Sequence, residues 1–245
     1  MKYHGAPPRY LTFGGLDAVG LPHATTTRHC PGIGPSGAPG SPFAAEAVAA
    51  LGDSGLDLRR AAWARQVHGA DVVEVSAGGF AGNADVLVTR QRGVPLAVFT
   101  ADCLAVAVVD PERPALAVAH VGWRGTVRGA TRAVVEAAVA AGGRRERLRA
   151  AISPSIGPCC YEVDAPVIEE VRRAYGARWE AWTRPGRADH WMLDLWAANA
   201  ALLAEAGLDP GRIENPRLCT ACHPELLYSY RRADHGRLTT IAALP

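Results

Sequence analysis

The chain has 245 residues, is 49% hydrophobic and carries a formal net charge of +2. That length and apolar content suit one domain over residues 1–245 with a large core. The near-balanced charge, with no isolated run of Lys or Arg, gives no electrostatic basis for nucleic-acid or membrane-surface binding.

The first twenty residues lack the basic start and apolar run of a secretory signal. The longest apolar stretch, Val94 to Val109, is interrupted by Thr100 and Asp102 and falls short of the ~18 residues of a spanning helix. A soluble, cytoplasmic protein is therefore expected, with its cysteines as free thiols or ligands rather than disulfides. The segment His29 to Pro42, HCPGIGPSGAPGSP, reads as a long loop, either a lid or a plain insertion.

After Trp63 the chain turns strand-rich. Valine-heavy runs bounded by Gly, Asp and Pro are expected as strands over Asp71–Ser76, Ala84–Thr89, Pro95–Thr100, Leu104–Val109 and Leu116–His120. LAVAVV and LAVAH are apolar on both faces, which predicts strands covered on both sides. Helical spacing follows over Thr126–Ala141, ending at Gly142-Gly143, then over Asp164–Tyr175 with Pro166 in its first turn, and over Asp194–Ala206. The interleaving predicts an α/β fold of mixed α+β character, a layered sandwich with helices flanking the sheets.

Three residues in this region are candidate metal ligands: His68 in QVHG, Cys103 in TADC and His120 in AHVGWRG. Two imidazoles and one thiolate leave a fourth tetrahedral position open, the count of a catalytic zinc site. Cys103 and His120 fall at strand ends, where an α/β crevice is expected. Taken singly, each also reads as structural: a hydrogen-bonded core histidine, a small buried thiol and a turn residue. The turn Gly122-Trp123-Arg124-Gly125-Thr126, opening a helix, is a candidate anion site with Arg124 as a fork of donors.

Cys219-Thr220-Ala221-Cys222-His223 has the spacing of c-type haem attachment, which an exported protein would use. It also makes a zinc half-site, but no second pair follows it downstream. The vicinal Cys159-Cys160 pair reads as packing rather than redox chemistry.

QVHGADV, ADVLVT, TADC, HVGWRGT, IGPCCYEV, DLWAAN and CTAC with a later YSYRR closely resemble, in this order, the laccase-domain family of YfiH-like proteins. That family has been called multicopper polyphenol oxidoreductase and also peptidoglycan editing factor. The resemblance spans roughly Ala61 to the C-terminus. It implies a single α/β sandwich with mixed sheets and a zinc-binding purine nucleoside phosphorylase that also deaminates adenosine and phosphorolyses methylthioadenosine. Its metal ligands fall on His68, Cys103 and His120. The chain departs from the family after Thr27-Arg28, where a Gly-Gly-x-Ser stretch is replaced by HCPGIGPSGAPGSPF, although Arg28 is retained.

On this reading the substrates are a purine nucleoside, adenosine or inosine, and inorganic phosphate. Arg28, Arg124 and the amides at Gly122 are expected to hold phosphate, with Gln66 contacting substrate. Asp102 is expected either as an acid/base group or as the partner that fixes a histidine tautomer. The HxE and PCxxC signature of zinc deaminases is absent, so deamination would use a convergent site. A copper phenol oxidase and a cell-wall editing factor are the competing readings; zinc and copper both accept this donor set.

Overall fold

In a computed structural model, which describes residues 1–245, the elements run β1 (Lys2–His4), β2 (Tyr10–Thr12), α1 (Gly14–Asp17), β3 (His23–Thr26), α2 (Ala45–Ala50), β4 (Ala62–Arg65), β5 (Val72–Glu74), β6 (Gly79–Asn83), β7 (Val86–Thr89), β8 (Leu96–Thr100), β9 (Leu104–Asp110) and β10 (Ala115–Val121). Then come α3 (Trp123–Val127), α4 (Ala130–Ala140), β11 (Arg149–Ile152), β12 (Glu162–Asp164), α5 (Ala165–Tyr175), β13 (Thr183–Pro185), β14 (His190–Leu193), α6 (Leu195–Glu205), β15 (Ile213–Glu214) and β16 (Leu238–Ala242). A seven-stranded sheet has the order β1-β2-β3-β16-β8-β4-β6, and a six-stranded sheet the order β15-β11-β9-β10-β7-β5. A third, small sheet is β12-β14-β13. Both large sheets are mixed: β4 runs parallel to β6 and β8, β5 to β7 and β11 to β15, while the other pairs in these two sheets are antiparallel. The α/β layered fold expected from the sequence is what the structure has.

The two-sided apolarity of β9 and β10 has a specific cause. Every residue of both strands is buried. Val106, Val108, Ala117 and Ala119 enter the core shared with α4 and α6, while Ala105, Ala107, Leu116 and Val118 enter the core shared with the seven-stranded sheet. Successive side chains point to opposite faces, so a strand in an inner layer must be apolar throughout. Such burial is commonest in parallel sheets, yet β9 pairs antiparallel with both β10 and β11. Leu104 and Leu116 are fully buried, and truncating either to Ala should cost about 2–5 kcal/mol.

The helix expected over Thr126–Ala141 is instead two helices. Gly129, at φ +86, separates α3 from α4, because a left-handed residue breaks the ladder of i to i−4 bonds. The helices α5 and α6 lie where the spacing places them, and the Asp194 carboxylate caps α6 by accepting the Ala197 N–H at 2.9 Å. Within DLWAAN, the buried Asn199 amide donates to Thr126 Oγ1 at 3.1 Å and to the Leu195 carbonyl at 2.8 Å. It also accepts from Thr131, which pins α6 to α3 and α4. Trp196 donates to Ser155 Oγ at 2.6 Å and covers Gly157, where a Cβ would lie 2.5 Å from the indole. No helix is long and apolar enough to cross a membrane.

Candidate metal centre and anion cavity

His68, Cys103 and His120 arrive from three segments: the turn between β4 and β5, the turn between β8 and β9, and the end of β10. Their ligand atoms all lie within 4.8 Å of one another. The two imidazoles meet edge to face with centroids 4.8 Å apart. His120 is buried, and His68 and Cys103 are partly exposed, so the cluster has one open side.

A residue that sequence reasoning missed organises this arrangement. Asp85, buried just before β7, accepts His120 Nδ1 at 2.8 Å and the His68 N–H at 3.1 Å on Oδ1. Its Oδ2 accepts the amides of Gly69 at 2.7 Å and Val67 at 3.1 Å. These bonds hold His68 in the left-handed region, at φ +58, a conformation that a non-glycine residue keeps only when its surroundings impose it. They also fix the His120 tautomer and direct its Nε2 to the cluster. The available signal was the acid at the start of ADVLVT, which looks like an ordinary strand boundary.

Gly122 contributes space. A Cβ there would lie 2.7 Å from Cys103 Sγ and 3.5 Å from His68 Cδ2. Only a glycine lets the end of β10 pass this close to the thiol. The anion site expected at the turn is weakly built, because α3 has only five residues and so little aligned dipole.

The electrostatics favour a thiolate beside an imidazolium. Burial alone would raise the Cys103 thiol, but His120 and His68 bring it down to about 7. Burial opposes charge on His120, yet Asp85 and Cys103 push it up to about 9. Burial also penalises the Asp85 carboxylate, and His120 with the amides of Gly69 and Val67 still holds it below the ordinary carboxylate range. Two imidazoles, a thiolate that forms readily, a carboxylate orienting one imidazole and a glycine-sized gap fit a zinc or copper ion with one position free.

The cluster opens on a cavity of about 550 Å³ whose walls include Arg65, Arg124, Arg237, Phe99 and Tyr230 and no carboxylate. Arg65 and Arg237 were not singled out by the sequence. Ser36 and Gly37 also line the cavity, so the Pro/Gly-rich loop reaches the site; it is anchored by the Trp63 indole N–H to the Ala38 carbonyl at 3.3 Å. A larger cleft of about 660 Å³ beside α4 and α6 also holds arginines, but Arg145 and Arg178 there pair with Glu136 and Glu205.

The other expected site residues fall differently. Gln66 lines the cavity, but its amide is committed: Nε2 donates to the Phe99 carbonyl and Oε1 accepts the Phe99 N–H, both at 2.7 Å. Arg28 is not brought to the cavity. Its guanidinium donates to the Pro224 carbonyl, pairs with Asp234 at 3.3 Å and sits 4.9 Å from the Tyr228 ring centroid. Asp102 fixes no histidine tautomer, a task that Asp85 performs. Its carboxylate accepts Thr220 Oγ1 at 2.6 Å and the Arg231 N–H at 2.7 Å, which ties the C-terminal segment to the turn carrying Cys103.

The fold is similar to that of YlmD from Geobacillus stearothermophilus, with a TM-score of 0.84 over 99% of this chain and 98% of that one at 26% identity. Over 204 residues the chain is 39% identical to the purine nucleoside phosphorylase of Deinococcus radiodurans, covering 82% of this chain and 76% of the relative. It is 37% identical over 148 residues to adenosine deaminase RL5 from an unknown prokaryotic organism, covering 60% of this chain and 56% of that protein. The family described as multi-copper polyphenol oxidoreductase laccase matches residues 44–245. The chain belongs to this laccase-like family, in agreement with the resemblance carried by its motifs.

Proposed function

We propose that the protein is a purine nucleoside phosphorylase that binds a nucleoside and inorganic phosphate beside His68, Cys103 and His120 and releases free base and ribose 1-phosphate. One observation carries this reading: a cavity adjoining the ligand cluster offers three arginines and two aromatic rings but no carboxylate. Uncompensated guanidinium groups favour an anion, and aromatic surface favours a base. Arg65 and Arg124 are in no ion pair, and Arg124 stacks on Trp123 with its guanidinium 4.4 Å from the ring centroid.

In phosphorolysis a phosphate oxygen forms a bond to the anomeric carbon as the glycosidic C–N bond breaks, and the electron pair leaves with the purine. Such a reaction depends on positioning and charge rather than on a protein nucleophile. Arg65 and Arg124 would hold the attacking anion through charge-assisted hydrogen bonds, and Phe99 and Tyr230 would pack against the base. A zinc ion on His68, Cys103 and His120 would supply Lewis acidity and orient oxygen ligands. Adenosine, inosine and methylthioadenosine are the substrates to try. The relative named adenosine deaminase makes adenosine deamination a second reaction of the same site. A multi-copper oxidase would need a larger imidazole set; the two groups of candidate ligands contain two histidines between them.

The test incubates metal-loaded protein with adenosine or inosine, with and without phosphate. Phosphate-dependent base release from the parent and its loss in His68→Ala are expected. No release from the parent sinks the phosphorylase reading, and undiminished release from His68→Ala sinks the role of the cluster. Oxygen uptake with a phenol in place of base release would point to the oxidase.

A further inference from the structure

Two cysteine pairs that look unrelated in the sequence meet in the fold. Cys159-Cys160 follows the turn at Gly157, and Cys219 with Cys222 follows β15. An isolated parallel bridge between Ser155 and Cys219 and the Thr220 N–H to Ser155 carbonyl bond at 3.0 Å bring the two segments together. The missing second pair for the CxxC half-site is thus supplied from upstream, not downstream. All four sulfurs lie within 4.8 Å of one another. Cys222 Sγ is 3.5 Å from Cys159 Sγ and 3.4 Å from Cys160 Sγ.

From this geometry we infer that Cys159, Cys160, Cys219 and Cys222 form a closed tetrathiolate site for one thiophilic divalent cation of the zinc class. An ion with zinc–sulfur bonds of about 2.3 Å sets its four sulfurs about 3.8 Å apart, close to the two Cys222 separations and within the 4.8 Å that encloses all four sulfurs. A disulfide needs about 2.05 Å, and Cys222 stands almost equally far from two candidate partners. Apolar packing does not account for the cluster either, because Cys159 and Cys222 are exposed. The Gly157 N–H donates to Cys219 Sγ at 3.2 Å, the kind of bond that supports a ligating sulfur. His223 stands outside the four-sulfur group, and its Nδ1 bonds the Cys219 carbonyl at 2.9 Å.

With four protein ligands the site has no open position, so its role is structural. It clamps the segment bearing Thr220, whose hydroxyl holds Asp102, against the segment that follows β11. The catalytic cluster and this one would then each hold an ion, independently.

The experiment is metal analysis of protein purified with zinc under reducing conditions. About two zinc ions per chain are expected for the parent, about one for Cys159→Ser/Cys222→Ser and about one for His68→Ala/His120→Ala, as expected for one closed and one open site. Cobalt substitution should give the intense tetrathiolate absorption in the parent and in the histidine variant, and not in the cysteine variant. An unchanged zinc count and cobalt spectrum in Cys159→Ser/Cys222→Ser overturns the inference. A second measurement uses the parent chain alone: zinc should protect these four cysteines from alkylation, as read by peptide mass. Equal alkylation with and without zinc, or a disulfide joining Cys222 to either neighbour under reducing conditions, overturns it as well.

Discussion

The chain gathers sulfur in two places, and their surroundings differ. Cys103 stands between two imidazoles, one backed by Asp85, and faces a cavity walled by arginines. Cys159, Cys160, Cys219 and Cys222 have mainly each other, with Cys159 and Cys222 exposed and Cys219 buried. The thiol at the first place is brought down to about 7, whereas burial and the neighbouring thiols Cys222 and Cys219 push Cys159 up to about 11. The difference teaches that the histidines draw the Cys103 thiol toward thiolate before any ion arrives, whereas the thiol cluster is divided: Cys159 is pushed up, while against the cost of burial the amides of Gly157 and Cys222 bring Cys219 down. An open, mixed, charge-backed cluster is suited to chemistry; a closed one of a single ligand type is suited to holding chain segments together.

The sharpest way to separate the two is Gly122→Ala. The added Cβ overlaps Cys103 Sγ at 2.7 Å, so the thiol or β10 must move. A displacement of this order should lower kcat/KM for inosine phosphorolysis by about a hundredfold and destabilise the fold by about 1–3 kcal/mol. Metal bound at the four cysteines should be unaffected. Full activity in this variant would break the claim that the glycine exists to admit the thiol.

Asp85→Asn comes next. It keeps the shape but removes the charge that backs His120, and loss of such a partner weakens metal binding about 10- to 100-fold. Chelator competition should show this loss at the histidine-bearing cluster alone. Equal weakening at both clusters would mean that they are one coupled unit. Arg124→Ala should leave both clusters loaded and raise KM for phosphate about tenfold, the cost of a lost charged hydrogen bond. Arg28→Ala, by contrast, should affect stability and not that KM, since its guanidinium holds Pro224 and Asp234.

How much of this was legible in the sequence follows from the range of each cause. The strands β7 to β10 were readable because their valine-rich runs are bounded by local turn residues, and the candidates His68, Cys103 and His120, which the fold brings together, because each sits in a distinctive string. The break between α3 and α4 was not, since periodicity says nothing of Gly129's left-handed backbone. Asp85 was hidden because its bonds to His68 and His120 are tertiary. Arg65 and Arg237 were hidden among many arginines, with nothing local to mark the wall they share. The cysteine pairs were each visible, but their meeting depends on the Ser155–Cys219 bridge, which no local pattern encodes. Asp102 misled because adjacency in sequence to Cys103 suggested adjacency in chemistry, whereas the backbone at φ +85 turns its carboxylate to Thr220 and Arg231.

The smallest effect tests the charge state of the open cluster without its ion. His120 is raised to about 9, so its contribution to stability is fully present below the ordinary histidine value of about 6.5 and is lost as pH rises through about 9. Cys103 is lowered to about 7, so its contribution is present above the ordinary thiol value and is lost as pH falls through about 7. From pH 7 to 9 the folded state therefore binds more protons than the unfolded chain at His120 and fewer at Cys103. The two slopes oppose, and urea unfolding of the metal-free protein should vary by less than about 1 kcal/mol over that window. Removing the sulfur with Cys103→Ala unbalances the pair. Asp85 still holds the imidazolium, so stability should now fall as pH rises, by at most about 1.4 kcal/mol per unit. A flat profile in Cys103→Ala would show that Asp85 without the neighbouring sulfur does not hold the proton on His120 across the window.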